Sequence, residues 1–475
     1  MTTELHPAAE PLDLLGVGVG PFNLSLAALA DGVPGLRTAF FERNHEFRWH
    51  PGLLIEGTTL QVPFLADLVS LVDPSSPWSF LGHLKATGRL FPFYFAEKFH
   101  IDRAEYDAYC RWAAEALPHC RFGHQVDAVA WDEERQAFAV DYTYESAGGE
   151  EVLAGREFTR NLALGIGTEP SVPALFRPLV EDAAVTALHS ADYLTHRQSL
   201  LAKRHVTVVG SGQSGAEVFL DLLRARPAGA EGLQWISRSP AFAPMEYSKL
   251  GLEQFTPDYT RYFHRLPERT RDELLPAQWQ LYKGVSADTL GDIHDELYRR
   301  TIGGGWPDAV LRPATGVVGA RRPDGRDGRI ELELEHTQEG GRETLATDAV
   351  VLATGYTERP ADALLHGLAP FLVRDSAGRP EVDADQRLVL DGPVRGSVFV
   401  QNAERHTHGV GAPDLGLAAW RSAVILNALT GREVHRLPSR TAFTTFGIPP
   451  VSGPSGTAAS GTGVSDRAAG SAARA

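Results

Sequence analysis

Val206-Thr207-Val208-Val209-Gly210-Ser211-Gly212-Gln213-Ser214-Gly215 is a β-branched apolar run that breaks into three glycines at GxGxxG spacing. The run reads as a buried strand. The glycines let the chain turn tightly, bring bare backbone up to a pyrophosphate, and start a helix packed on that strand. Alanine and leucine then recur at helical intervals beyond Gly215. Strand, glycine turn and helix open a doubly wound βαβ unit, so the fold class is α/β. Gly210, Ser211, Gly212, Gln213, Ser214 and Gly215 become candidate nucleotide-binding residues. The next apolar strand, Leu233 to Ser237, ends on Arg238, where an NAD enzyme would carry an acid. A guanidinium there pairs with a 2′-phosphate and points to NADPH; the plain alternative is a surface arginine at a strand end.

Nearer the N-terminus, Leu14-Leu15-Gly16-Val17-Gly18-Val19-Gly20-Pro21 follows a strand and opens a helix in the same way. Pro21 replaces the usual third glycine and Gly20 shifts the pattern, so this motif is weaker alone. Glu42 strengthens it, because an acid closing the following strand, Thr38 to Phe41, can accept both ribose hydroxyls of FAD. A third strand meets a glycine turn at Thr347 to Gly355, adding Thr354 and Gly355 as candidates. Two fingerprints imply two dinucleotides and hydride transfer from NADPH to FAD. The expected layout is two Rossmann-like domains: FAD-binding residues 1–195 and 346–450, interrupted by an NADPH-binding domain at 196–345. Within that insertion, 242–305 reads as a small helical region covering the substrate, and Asp288 to Arg300 has clear helical spacing. Residues 451–475, all small or polar without periodicity, read as a disordered tail.

At 475 residues the chain exceeds a single core. A net charge of -15 argues against nucleic acid or anionic membrane as a general partner. Cys110 and Cys120 form no CxxC, which removes a thioredoxin-type dithiol, a zinc knuckle and an iron–sulfur cluster. Residues 1–13 carry Glu4, Glu10 and Asp13 and no apolar core, unlike a secretory signal. No apolar run approaches the roughly 20 residues that span a bilayer, so a cytoplasmic enzyme is expected.

Gly16 to Leu26, Trp49-His50-Pro51-Gly52, Leu60-Gln61-Val62-Pro63-Phe64-Leu65, Ala353-Thr354-Gly355-Tyr356 and Asn402 to Gly409 together resemble the lysine N6- and ornithine N5-monooxygenase family. These enzymes make hydroxamate precursors for siderophores. The likeness runs from about Asp13 to Arg432. It implies an NADPH-reduced flavin that adds O2 at C4a, and a neutral amine that attacks the distal oxygen of the resulting hydroperoxide. It further implies that Trp49 and His50 lie by the cofactor and that Gln61 lies at the substrate side of the flavin. The cofactor performs the oxidation, so no catalytic side chain and no metal is assigned.

The resemblance breaks at one informative place. Relatives acting on amino acids typically read FLKDL, with the lysine gripping the substrate carboxylate; here the tract is Phe64-Leu65-Ala66-Asp67-Leu68. Losing such a charge-assisted bond costs about 1.5–3 kcal/mol. Two asparagines that bind the amino-acid head in ornithine enzymes align with Leu252 and Leu281. Asp414 stands where those relatives carry a serine-containing loop, and could hold a second ammonium; its ordinary role would be to cap the helical run Leu415 to Leu429. The balance favours a small aliphatic diamine, cadaverine or putrescine, with O2 as co-substrate. L-lysine or L-ornithine is the alternative within the family, and a flavoprotein reductase serving a protein partner the alternative outside it. The sequence leaves a homo-oligomer open.

Overall fold

Leu14–Val17 is buried along its whole length, and it sits in the middle of a parallel sheet. Thr38–Glu42 pairs on one side and Leu162–Leu164 on the other, with Cys120–Phe122 and Val398–Val400 at the edges. A strand covered on both faces needs a continuous apolar run, which is why Leu-Leu-Gly-Val does not alternate. The helices Pro21–Asp31, Arg103–Ala116 and Ala418–Thr430 cover one face and share a core with Phe40, Ala163 and Phe399. The computed structural model describes residues 10–149, 151–323 and 328–448; the expected tail at 451–475 lies outside them.

The second parallel sheet has the order Ala309–Arg312, Leu233–Ile236, Val206–Val209, Ala349–Leu352, Thr186–His189. This corrects the expected boundaries. Thr186–His189 lies before residue 195 and Ala349–Leu352 after residue 345, yet both pair inside the second sheet, with Val350 opposite Ala187. The glycine turn at 353–355 is the return crossing to the first unit. Both crossings run side by side as an antiparallel ribbon, Thr168–Pro170 against Tyr356–Glu358. Antiparallel meanders flank each unit, at His124–Thr159 and Thr315–Thr347.

The tract 242–305 is helical as expected, and it does two jobs. Pro257–His264 lies over Arg405–His408, so closely that a Cβ on Gly409 would come within 3.0 Å of the Phe263 ring. Ala287–Arg300 instead packs on the glycine-turn helix Gln213–Ala225. The two units meet at a buried fork: Arg103 donates to both carboxylate oxygens of Glu217 at 2.7 and 2.8 Å. Burial raises the Glu217 pKa, and Arg103 opposes that shift. Beside it, the Pro51–Leu53 turn sits so close to Ala191 that a Cβ on Gly52 would lie 1.7 Å from its carbonyl oxygen. Among the described residues no helix is long and apolar enough to cross a membrane.

Candidate active site

The first glycine turn is tight on its inner side and open on its outer side. A Cβ at Gly16 would lie 2.1 Å from the Phe40 ring, and one at Gly18, where φ is +87°, 2.5 Å from the Gly165 carbonyl oxygen. A Cβ at Gly20 would meet no atom within 4 Å. Gly20 is the N-cap of Pro21–Asp31 and offers no side-chain cap, so the unpaired N–H groups of the first helical turn face that open side. Pro21 at the first turn sacrifices no helical hydrogen bond. Glu42 closes the neighbouring strand with one carboxylate oxygen accepting from Val19 N and the other from Asn44. Buried Asn23 ties strand to helix by donating to the carbonyls of Val17, Gly18 and Ala163, and it accepts from Gln401 at 2.8 Å.

Trp49 and His50 lie where the two units meet. The Trp49 amide donates to Asp107 at 2.8 Å, and its ring packs edge-on against His50 and Tyr106. His50 is held at φ +47°, an uncommon conformation for a residue with a side chain. Burial, with Arg103 nearby, pushes its imidazole down to about 4, so it is neutral at physiological pH. Its ring reaches Tyr356, which also stacks edge-on with His189. Thr354 donates to the Ser171 carbonyl and the Gly355 carbonyl accepts from His189, so these two residues brace the crossing between units. The Gln61 amide nitrogen is buried without a hydrogen-bond partner in the protein.

At the second glycine turn a Cβ on Gly210 would lie 2.1 Å from the Ala353 carbonyl oxygen, and one on Gly215 2.4 Å from that of Gly210. Gly212 caps Gln213–Ala225 and is open, its nearest neighbour being the Lys283 carbonyl oxygen at 3.9 Å. Ser211 and Ser239 hydroxyls are 2.9 Å apart, which joins the turn to the loop bearing Arg238. Arg238 is exposed and makes no ion pair among the described residues. Gln213 is engaged elsewhere: it accepts from Ser286 N and donates to Glu217 and Thr289, clamping the helix Ala287–Arg300.

Ala66 and Asp414, 348 positions apart in the chain, converge on Gly416. A Cβ there would lie 2.7 Å from Asp414 Oδ1 and 4.0 Å from Ala66 Cβ. Asp414 does cap, accepting from Gly416 N at 2.7 Å, and the capped element is a short 3-10 turn, Leu415–Leu417, leading into Ala418–Thr430. That bond uses Oδ1 alone. Dense surroundings push the Asp414 carboxyl up to about 6, offset in part by that amide and by Arg421. Leu281 is buried with Tyr259, Phe263 and Val410, whereas Leu252 lies 37% exposed on the turn Gly251–Phe255, outside that cluster. Behind Asp414 runs a pairing that sequence inspection did not single out. Buried Arg421 reaches Glu404 at 3.2 Å, donates to the carbonyls of Gly411 and Ala412, and lies over the Phe22 ring in the first helix.

Residues 10–358 match the L-lysine 6-monooxygenase/L-ornithine 5-monooxygenase family. The chain belongs to this family. The rhizobactin siderophore biosynthesis protein RhbE of Rhizobium meliloti is 44% identical over 92% of this chain and 95% of its own length. A putrescine N-hydroxylase of Shewanella oneidensis is 38% identical, over 91% and 84% respectively. The solved structure of DfoA bound to FAD, the cadaverine monooxygenase of the desferrioxamine pathway in Erwinia amylovora, superposes with a TM-score of 0.86 at 38% identity, covering 93% of this chain and all of that one. The chain is therefore an enzyme, a flavin-dependent N-monooxygenase, and its family uses FAD and NADPH. The residues present fit both: two uncapped helix N-termini at Gly20 and Gly212 face open space, and the unpaired Gln61 amide awaits an acceptor. Ser239 joins the candidates. It escaped notice because its partner Ser211 is 28 residues away.

Proposed function

We propose that this monooxygenase hydroxylates one terminal amine of a small aliphatic diamine, cadaverine or putrescine, for hydroxamate siderophore synthesis. FAD is held by Gly16, Gly18, Gly20, Pro21 and Glu42, with Trp49, His50 and Gln61 around the ring system. NADPH is held by the turn Gly210–Gly215, with Ser211, Ser239 and Arg238 at its 2′-phosphate. Bound FAD, once reduced by NADPH, supplies the oxygen chemistry. The protein's own contribution is to orient the amine and hold its far end. The placing of Ala66 and Asp414 around Gly416 carries this reading: in place of a carboxylate-gripping lysine stand a methyl group and, near it, an acid. A free carboxylate oxygen there attracts an ammonium and repels an α-carboxylate. Leu281, buried with Tyr259, Phe263 and Val410, offers no amide to an amino-acid head. Diamine enzymes among the relatives support the same choice.

An acid that titrates near 6 gives this reading a pH signature. Below about pH 6 the carboxyl is protonated and cannot hold an ammonium, so kcat/KM for cadaverine should fall as pH drops through that value. Asp414→Asn keeps the cap, since an amide oxygen accepts from Gly416 N just as well. It should raise the diamine KM roughly thirtyfold, about 2 kcal/mol, and abolish the acid limb. NADPH-driven flavin reduction should stay unchanged. A variant that retains both the diamine KM and the acid limb would remove Asp414 from the substrate site.

A further inference from the structure

Beyond the helix Ala418–Thr430, residues 439–447 form no helix or strand, yet they are bound along the helical tract of the second unit. Two carboxylates on that tract hold this strap by its main chain. Asp258 Oδ2 accepts from the amides of Thr441 and Ala442 at 2.6 and 2.9 Å, and Glu253 accepts from those of Phe443 and Thr444 at 2.8 Å each. Four successive N–H groups thus go to two acids, the stronger kind of hydrogen bond. The Thr444 hydroxyl adds a further bond to Glu253. Asp258 Oδ1 takes Arg261, which also reaches the Ser439 carbonyl. The strap gives something back, because the Asp258 amide, an unpaired donor in the first turn of Pro257–His264, donates to the Thr441 hydroxyl at 3.1 Å. At the strap's far end the Phe446 ring packs edge-on against Tyr259 at 5.0 Å and stacks on Tyr262 at 6.0 Å.

The helix that receives the strap has its other side on the substrate loop. Asp258, Tyr259 and Tyr262 meet the strap, whereas Thr260 and Phe263 lie against Gly411 and Gly409, in the loop that runs on to Asp414. Helical spacing puts the two sets on different faces. A helix of eight residues is too short to keep its place unaided, so its position depends on what packs against both sides. We propose that Glu253 and Asp258 are positioning residues for the oxidation: by anchoring the strap they hold this helix down on the substrate loop and keep the site closed to water.

Closure matters because the oxidising equivalent has two fates. In a dry site one oxygen atom of O2 enters the amine and the other leaves as water. In a wet site NADPH, a proton and O2 end as NADP+ and H2O2, and the amine is untouched. The inference shares the loop bearing Asp414 with the diamine reading, but not the identity of the amine.

The test uses the full-length, flavin-loaded enzyme with whichever of cadaverine, putrescine, lysine or ornithine the wild type hydroxylates best, so an error in the diamine reading leaves it intact. Glu253→Met with Asp258→Leu removes the acceptors at little change in size. Deuterium should then enter the amides of residues 441–444 at least about tenfold faster than in the wild type. Hydroxylamine formed per NADPH should fall at least about threefold, with H2O2 making up the difference. Flavin content and the rate of flavin reduction by NADPH should stay at wild-type values. Glu253→Gln with Asp258→Asn keeps an acceptor oxygen at each position and should recover most of the coupling. Phe446→Ser, which leaves both acids in place, should uncouple in the same direction. Fast exchange in the Met/Leu variant with wild-type product per NADPH would overturn the proposal, since the strap would be loose and the site still closed. Wild-type exchange in that variant would overturn it too, because the acids would not be what holds the strap, and so would a Gln/Asn variant as uncoupled as the Met/Leu one.

Discussion

Gly20→Val should purify as folded protein almost free of flavin, whereas Gly212→Val should purify yellow and fail to reduce its flavin with NADPH. The contrast follows from where each new side chain would go. A branched side chain at Gly18 would be forced against the Gly165 backbone at a left-handed φ of +87°, so lost flavin there would be confounded with lost fold. At Gly20, φ is −78° and a Cβ meets nothing within 4 Å, so the chain tolerates it and only a bound pyrophosphate would object. Gly212 is equivalent in the second unit, with φ −85° and one distant neighbour. Visible absorbance per chain reads the first variant, and anaerobic mixing with NADPH reads the second. The losses should be nearly complete, because an isopropyl group and a phosphate cannot share a helix N-terminus. Exchanged phenotypes would reverse the assignment of FAD and NADPH to the two units.

Arg421→Leu should lower the free energy of unfolding by about 3–5 kcal/mol, among the largest costs of any single change in this chain. Its side chain and that of Glu404 are 2% and 0% exposed. Without the guanidinium, Glu404 remains buried without a counter-ion, and the carbonyls of Gly411 and Ala412 lose their donor. Burial already raises the Glu404 pKa despite Arg421. A carboxyl whose folded-state pKa is raised is least costly when protonated, so the penalty should be smallest at acid pH and grow as pH rises above the ordinary carboxylate range. Urea unfolding at pH 5 and pH 8 should show the variant losing more at pH 8. Glu404→Leu in the same chain should recover part of the loss, since removing both charges is far cheaper than stranding one. An Arg421→Leu enzyme of wild-type stability at pH 8 would mean that the pair is not buried in solution.

The glycine turns were legible because their chemistry is local: Gly210 and Gly215 touch backbone within the same turn or the strand beside it. The helix at Ala287–Arg300 followed from its own periodicity, and the capping by Asp414 from its place before an apolar run. The boundaries did not follow. Ala349–Leu352 ends in a glycine turn like the other two, and nothing in its four apolar residues reveals which sheet it will enter. Pairings across distance were equally hidden, because Arg103 meets Glu217 114 residues away and Gln401 meets Asn23 378 residues away. Gln213 shows the converse, a residue at a motif position whose amide is spent on bracing a neighbouring helix.

The central claim is the identity of the amine, and a four-substrate comparison tests it most directly. Cadaverine, putrescine, L-lysine and L-ornithine would each be given to the wild-type enzyme with NADPH and O2. Hydroxylamine product would be measured against NADPH consumed, because coenzyme loss alone also reports uncoupled turnover. One or both diamines should give coupled hydroxylamine, with lysine and ornithine poor, since their carboxylates would face Asp414 and the methyl group of Ala66 where a lysine is missing. Coupled hydroxylation of lysine or ornithine with both diamines inert would contradict the account.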